Sequence, residues 1–252
     1  MSQLTNDIWA TFTALTRIPF WRIKEVPKEH FKHVVDHWSL LGWLTGGIMA
    51  GVLWLSGQVF PLTVAVVIAF IARLLITGAI HEDGLMDLCD GLGGGTTRER
   101  VLAIMKDSHT GAYATIGFVS YVVLWVSLLS GMTLEVAVTV VFIADPLSKF
   151  MASHLPMLLP YARKEEDSKM QVEYRRYPPL YKWLLSALFG LLPIILMPKE
   201  GLGILLMSTI MLFVIYALLK KRIAGYTGDC MGATFLLCEV FGYFGVYLMC
   251  VI

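Results

Sequence analysis

The chain has 252 residues, of which 57% are hydrophobic and 15% charged, and its mean hydropathy is +0.69. Soluble domains carry about 25% charged residues, so this composition excludes an ordinary soluble domain and is typical of an integral membrane protein. The formal net charge of +1 indicates nothing about partners, and we expect no nucleic acid among them.

The N-terminal stretch lacks the basic and apolar regions of a signal peptide. Instead Leu4, Ile8, Phe12 and Leu15 recur at helical spacing. This pattern predicts a helix that lies on, or dips into, the cytoplasmic leaflet of a membrane.

Seven later segments are apolar and approach the length of about 20 residues that a helix needs to cross a bilayer. They are 38–57, 62–80, 112–130, 135–160, 180–197, 202–219 and 231–252. The fourth carries Pro146 and Pro156 and is expected to kink or end early, and Pro193 interrupts the short fifth. The sequence therefore predicts an all-α polytopic membrane bundle of about seven spans, with six or eight still open.

Lysine and arginine are distributed unevenly along this pattern. Seventeen of the 20 lie in four polar segments, 1–37, 81–111, 161–182 and 220–230. Because positively charged loops stay on the cytoplasmic side, we expect these segments and the N-terminus to face the cytoplasm. We interpret residues 1–252 as one membrane-embedded catalytic domain.

Two cations are placed inside predicted spans, where a charge needs a partner. Arg73 could bind a phosphate or the aspartates downstream, or it could form a structural ion pair. Lys149 lies four residues after Asp145, which favours a mutual pair, with a polar wall of a substrate cavity as the alternative. Glu239 in the last span needs a partner as well, and these two cations are the available ones.

The segment 81–111 contains an unusual set of acids. Asp83, Asp87 and Asp90 are spaced i, i+4, i+7, which puts three carboxylates on one helix face. Such anions repel one another unless a cation lies among them, and a divalent metal is the simplest candidate. The alternative is a solvated acidic helix end.

The same segment suggests how the acids are presented. The second span is expected to continue past His81 and bend near Gly84, and the glycines from Gly91 to Gly95 are expected to break the helix.

A second short helix is predicted to begin with a capping box formed by Thr96 and Glu99. It would bring Asp107 to the site as a fourth carboxylate, with Arg100 and Lys106 available for phosphate oxygens. Because Mg²⁺ commonly combines carboxylates with substrate phosphates, one or two metal ions are expected.

At these residues the sequence resembles the cobalamin synthase family, the adenosylcobinamide-GDP ribazoletransferases. The family pattern is matched by His81, Asp83, Gly84, Leu85, Asp87, Asp90 and Gly91, then by 104–108 and Gly111. Further matches are 16–19, 161–163 and 225–229 with Gly232 and Ala233. The chain departs from the pattern at Lys149, where family members often carry arginine, and in the loop after Arg163.

The resemblance implies the last assembly step of cobalamin biosynthesis. A ribose hydroxyl of α-ribazole, or of its 5′-phosphate, attacks the cobinamide-proximal phosphorus of adenosylcobinamide-GDP, and GMP leaves. It also implies a prokaryotic inner membrane with its lipid around the protein and an active site facing the cytoplasm. A homo-oligomer or a corrinoid-assembly complex remains an open expectation.

The resemblance also implies roles for individual residues. A Mg²⁺ cofactor would be held by Asp83, Asp87, Asp107 and Asp90, with Asp90 alternatively the general base. His81 would orient a phosphate or take the hydroxyl proton. Substrate contacts would come from Arg73, Arg100, Lys106, Lys149, Thr227 and Asp229.

Two other functions stay open. The pattern of Asp87, Asp90 and Gly91 resembles half of the CDP-alcohol phosphotransferase motif, but Gly111 stands four residues after Asp107, where that motif needs another acid. A divalent-cation transporter would need acids deep in several spans. The clustering of acids at one cytoplasmic edge favours catalysis on soluble substrates.

Overall fold

The computed structural model describes residues 3–163 and 176–251, and the regular elements within these ranges are helical apart from one isolated bridge between Tyr161 and Tyr226. The α-helices are α1 (Gln3–Leu15), α2 (Trp38–Gly57), α3 (Leu62–Thr77), α4 (Ile80–Gly94), α5 (Arg98–Ile104), α6 (Ala112–Ser130), α7 (Leu134–Ala152), α8 (Leu155–Leu158), α9 (Leu180–Leu191), α10 (Pro198–Arg222) and α11 (Gly228–Val251). The 3₁₀ segments are Phe20–Arg22, Lys28–His37 and Leu192–Leu196. The predicted all-α class is confirmed.

Five helices in the described ranges are long and apolar enough to cross a membrane, and α3 with α4 makes a sixth if this bent pair counts as one span. The five are Lys28–Gly57, Ala112–Ser130, Leu134–Leu158, Pro198–Arg222 and Gly228–Met249. The multi-pass membrane fold is confirmed, with a span number at or just below the low end of the expected six to eight. The fifth predicted segment falls short because α9 has 12 residues and ends just before Pro193.

A sharp turn between α3 and α4 sets the position of the acidic segment. Gly78 (φ 66°) and Ala79 (φ 56°) both adopt left-handed backbone, and α4 leaves at 94° to α3. That conformation is easy for glycine and costly for alanine, so the turn is held by the packing around it. The predicted bend near Gly84 is wrong, because α4 is continuous from Ile80 and the bend lies at Gly78 and Ala79, whereas the predicted break is confirmed, because α4 ends at Gly94.

The glycines of α4 and α11 serve close packing instead. A Cβ on Gly84 would lie 2.8 Å from the carbonyl oxygen of Asp229, and one on Gly232 would lie 3.1 Å from the Cα of His81. A Cβ on Gly91 would likewise clash with Met105, the residue after α5. At Gly84 and Gly232, α4 and α11 cross in backbone contact, which brings the start of α4 beside the start of α11.

The polar segments meet at one end of the bundle. Arg98 donates hydrogen bonds to the carbonyls of Ala162 and Ile223, both at 2.8 Å, so it joins three of the four predicted polar segments. The fourth is attached through Lys182, whose Nζ lies 2.6 Å from Oδ2 of Asp7 in α1. These contacts assemble the polar segments around the N-terminal ends of α4 and α11.

The predicted N-terminal helix is present as α1, and a buried ionic cluster fastens it. Asp7 lies 2.5 Å from Nδ1 of His30 as well as bonding Lys182, which also lies 3.4 Å from Asp36. Burial acts to raise the pKa of Asp7, but the hydrogen bonds from Lys182 and His30 prevail and lower it. The carboxylate thus stays ionised although it is buried.

The helix crossing makes a prediction about stability. Gly84→Ala should destabilise the protein by about 1–3 kcal/mol, because the added methyl overpacks against the Asp229 backbone. Gly51→Ala is the matched control: no atom lies within 4 Å of its added Cβ, and alanine gains about 0.5–1 kcal/mol over glycine in a helix. Thermal unfolding in detergent measures both, and equal effects of the two substitutions would contradict the crossing.

Candidate active site

The four predicted carboxylates line a single cleft at the polar end of the bundle. Asp83, Asp87 and Asp90 come from α4 and Asp107 from the loop after α5, around a cavity of about 190 Å³. Lys106 lines the same cleft. The structure therefore brings together the acids and one of the predicted phosphate-binding cations.

Asp90 differs from the other acids because both of its oxygens accept hydrogen bonds from the backbone. Oδ2 accepts from the N–H of Gly111 at 2.5 Å and Oδ1 from the N–H of Ala114 at 2.8 Å. These N–H groups open α6 and have no partner within that helix, so Asp90 fastens the start of α6 to α4. Asp83 is exposed and Asp87 half-buried, which leaves these two more open to the cleft.

Asp107 is held by its neighbour His109. The carboxylate lies 2.6 Å from the ring Nδ1 and accepts a hydrogen bond from the backbone N–H at 3.0 Å. The side-chain hydrogen bond lowers the pKa of Asp107 and raises the pKa of His109. Asp107 therefore stays ionised to lower pH than a free aspartate, which suits a cation ligand.

The acids fit a metal that is shared with substrate more closely than a closed cage. Among the described residues, no three His, Cys, Asp or Glu side chains are arranged to enclose a metal ion. Mg²⁺ keeps several waters and is typically held by one or two carboxylates together with substrate phosphates. Asp83 and Asp87, one helical turn apart at the cleft, match that donor set.

A second, narrower pocket opens beside the acid cleft, with a cavity of about 80 Å³. Asp83 lines both cavities, and it also lines a third of about 520 Å³ beside Arg17 and Trp21. The polar wall of the second pocket is made by His81, Arg163 and Asp229. Its apolar lining includes Leu15, Val34, Val35, Trp38 and Met231.

His81 is fixed by aromatic packing. Its ring stacks on Trp38 with 5.5 Å between centroids and 18° between planes, and Phe235 meets it edge-on at 5.0 Å. Its Nε2 is buried and has no hydrogen-bond partner among the described residues. A buried imidazole nitrogen in this state can accept a hydrogen bond from a substrate.

The start of α11 supplies the other wall of the second pocket. Thr227 is buried, and its Oγ1 lies 3.4 Å both from Oδ2 of Asp229 and from the N–H of Cys230. Arg163 approaches the same carboxylate, with Nη1 3.6 Å from Oδ2. Asp229 therefore lines the pocket, whereas Thr227 caps the helix and positions Asp229.

Comparison with known proteins identifies the family of this chain. The family model described as cobalamin-5-phosphate synthase matches residues 7–247. The chain belongs to this family. No solved structure matches it.

Curated relatives agree with the family assignment. Proteins named adenosylcobinamide-GDP ribazoletransferase from Leptothrix cholodnii, Shewanella oneidensis and Leptospira interrogans are 34%, 32% and 30% identical to this chain. The matches cover 97%, 91% and 96% of this chain and 97%, 88% and 94% of the relatives. The resemblance predicted from the motifs is confirmed, and so is the expectation that the chain is a transferase.

Arg73 lies outside both pockets of this family member. It is buried in the bundle, with Nη1 2.6 Å from Oε2 of Glu239 and Nε 3.1 Å from Oε1 of Glu82, and it donates to the hydroxyl of Tyr121. The structure favours the ion-pair alternative over substrate binding. The expected partnership of Glu239 with an in-span cation is confirmed.

Lys149 also lies outside the pockets. It is fully buried, pairs with Asp145, donates to Thr45 at 2.8 Å and lies 4.2 Å above the ring of Phe235. These contacts favour the mutual pair with Asp145 over a wall of the substrate cavity.

Arg100 is exposed on α5 and lines neither pocket. The predicted capping box at Thr96 is wrong by one residue, because the side chain of Thr97 accepts the N–H of Arg100 at 3.3 Å and α5 begins at Arg98. Two consecutive threonines made the start ambiguous in the sequence.

Sequence reasoning missed Trp38 and Arg163 as pocket residues. Arg163 follows Tyr161, and hydrogen bonds between residues 160–162 and Tyr226 hold this stretch against the start of α11. The signal that could have revealed Arg163 was the presence of both stretches among the family motifs. Trp38 carries no such signal, because an aromatic residue at the start of a span is common.

Replacing a buried cation and an exposed cation separately by methionine distinguishes their roles. Arg73→Met should lower thermal stability strongly, since removing one member of a buried ion pair costs about 3–5 kcal/mol. Lys106→Met should leave stability unchanged, because this side chain is exposed, and should raise the KM for the phosphate-bearing substrate. Melting in detergent and steady-state kinetics measure both, and a raised KM with normal melting for Arg73→Met would contradict its structural role.

Proposed function

We propose that this transferase joins adenosylcobinamide-GDP to α-ribazole, or to α-ribazole 5′-phosphate, and releases GMP. The names of the curated relatives support the donor and the transferred group. The observation that carries the proposal is the meeting of two unlike pockets at Asp83. A condensation of two large substrates needs separate sites that share one reacting centre.

The acid cleft is the proposed site of the donor pyrophosphate. Lys106 lines it and supplies a positive charge, and Asp83 and Asp87, with Asp107 in the same cleft, are the proposed holders of Mg²⁺. A metal held there would supply positive charge that offsets the charge of the phosphates. Asp90 is the less available ligand, since each of its oxygens already accepts a backbone N–H and keeps only its remaining lone pair for a metal.

His81 is the proposed general base. Its Nε2 takes the proton of the acceptor hydroxyl while that oxygen bonds to the cobinamide-proximal phosphorus and the phosphoanhydride bond to GMP breaks. His81 lines the second pocket next to Asp83, and the rings of Trp38 and Phe235 fix its orientation. Asp90 then acts as a positioning residue that docks α6 on α4.

The setting is a membrane with the polar end of the bundle in the cytoplasm, where both substrates are soluble. The concentration of Lys and Arg in the polar segments supports this orientation. We place the protein in the inner membrane of a prokaryote, in contact with lipid, and assembly into a homo-oligomer or corrinoid complex stays a prediction.

The other two functions have less support. A cation transporter needs acids open to an ion pathway in several spans, whereas Glu239 and Asp145 are paired with Arg73 and Lys149. The CDP-alcohol phosphotransferase motif remains incomplete after Asp107.

Removing one carboxylate tests the reaction and the metal together. Purified protein in liposomes receives adenosylcobinamide-GDP and α-ribazole 5′-phosphate, with Mg²⁺ or EDTA, and GMP release and corrinoid product are measured. Asp83→Asn and Asp87→Asn should each raise the Mg²⁺ concentration for half-maximal rate by about tenfold or more, since a metal ligand is lost.

Glu99→Gln is the control for this experiment, because Glu99 is exposed on α5 and lines neither pocket. It should leave the Mg²⁺ dependence unchanged. Product formation that is indifferent to EDTA would refute the metal site, and no product from folded wild-type protein would refute the transfer itself.

A further inference from the structure

The second pocket has an apolar slot suited to a flat ring. Trp38 and His81 stack along its wall, and Val34 and Leu15 add aliphatic surface. Offset stacking on aromatic side chains is the usual way in which a protein holds a planar heterocycle. The acid cleft has no comparable aromatic pair among its lining residues.

Two residues of this slot each carry a buried polar atom that has no partner in the described part of the chain. The indole Nε1 of Trp38 and the Nε2 of His81 are both buried, and neither has a hydrogen-bond partner among the described residues. Both residues are at least nine-tenths buried. A buried donor without an acceptor is costly, so a ligand that offers an acceptor in the ring plane would relieve it. The base of α-ribazole is a benzimidazole joined to ribose through one ring nitrogen, and its other ring nitrogen remains as such an acceptor.

Arg163 introduces a positive charge at the polar side of the same pocket. Its side chain is only 6% exposed, and it contacts the Leu102 carbonyl at 3.3 Å and Asp229 at 3.6 Å. A guanidinium has five N–H donors, more than these contacts use, and its fork matches a phosphate bidentately. Arg163 lines the second pocket and not the acid cleft.

We infer that the second pocket is the acceptor site, where the flat base of the riboside lies against Trp38 and His81 and Arg163 binds its 5′-phosphate. This inference rests on the proposed function. The ribose then lies between Arg163 and the Asp83 junction, so its hydroxyl meets the acid cleft from the acceptor side. Arg163 thereby sets the preference between α-ribazole 5′-phosphate and α-ribazole.

The test is a ratio of two acceptors on one enzyme. The quantity is kcat/KM for α-ribazole 5′-phosphate divided by kcat/KM for α-ribazole. Arg163→Gln should lower this ratio by about tenfold or more, because only the phosphate ester loses a charge-assisted contact. Arg163→Lys should retain part of the preference, since an ammonium keeps the charge without the fork.

Arg176→Gln is the matched control, because Arg176 is exposed and lines none of the described pockets. It should leave the ratio unchanged. Monodisperse elution in detergent checks that each variant is folded.

The base slot is tested with benzimidazole alone. Benzimidazole should compete with the acceptor. The apparent KM for adenosylcobinamide-GDP should stay unchanged. Trp38→Phe keeps a stacking ring but removes the N–H, so it should weaken this inhibition by about fivefold or more.

The outcomes separate the two proposals. Turnover of both acceptors with an unchanged ratio in Arg163→Gln overturns the acceptor site and leaves the proposed function standing. An enzyme that uses α-ribazole but never its phosphate overturns it too, as does benzimidazole competing with the donor. No product from wild-type protein with either acceptor refutes the proposed function, and the acceptor site with it.

Discussion

The backbone contact between α4 and α11 is the constraint on which the rest of the structure depends. Gly84 and Gly232 let the two helices approach until side chains from their first turns share one space. His81 and Asp83 of α4 then face the same pocket as Asp229 of α11, and Asp87 and Asp90 line the adjoining cleft. Small residues are the usual means of bringing helices together in lipid, where apolar burial between helices gains little. In this protein that packing device also builds the site.

The charges inside the bundle hold this arrangement in register. Arg73 of α3 forms ion pairs with Glu82 of α4 and Glu239 of α11, so one guanidinium links the helix before the sharp turn to both helices that form the site. Buried ion pairs are weak sources of net stability, because desolvation offsets most of the attraction. Their value lies in geometry, since any other crossing of α4 would leave a carboxylate unpaired in an apolar interior. We interpret Arg73 as the reason that α4 can leave α3 at so steep an angle.

How far the sequence could predict this site depends on the range of each interaction. The bounds of α2 and α6 agree with the predicted segments, and the acids of α4 share one cleft, because hydrophobic length and helical spacing are local properties. The turn at Ala79 has no such signature, since a left-handed alanine is imposed by packing. An in-span arginine has the same sequence signature whether it binds a phosphate or a carboxylate 166 residues away, as Arg73 does. Partners of that kind appear only when the chain is folded.

The division of the site at Asp83 also bears on water, which competes with the acceptor in the proposed reaction. A phosphoanhydride held in the acid cleft is exposed to hydrolysis wherever water can enter, and the geometry of attack must then favour a ribose hydroxyl. The second pocket is largely apolar, so an acceptor that fills it excludes water from the surroundings of His81. The rings of Trp38 and Phe235 fix the orientation of His81 at this pocket. If His81 is the base, as proposed, the same aromatic packing favours transfer to the acceptor over hydrolysis.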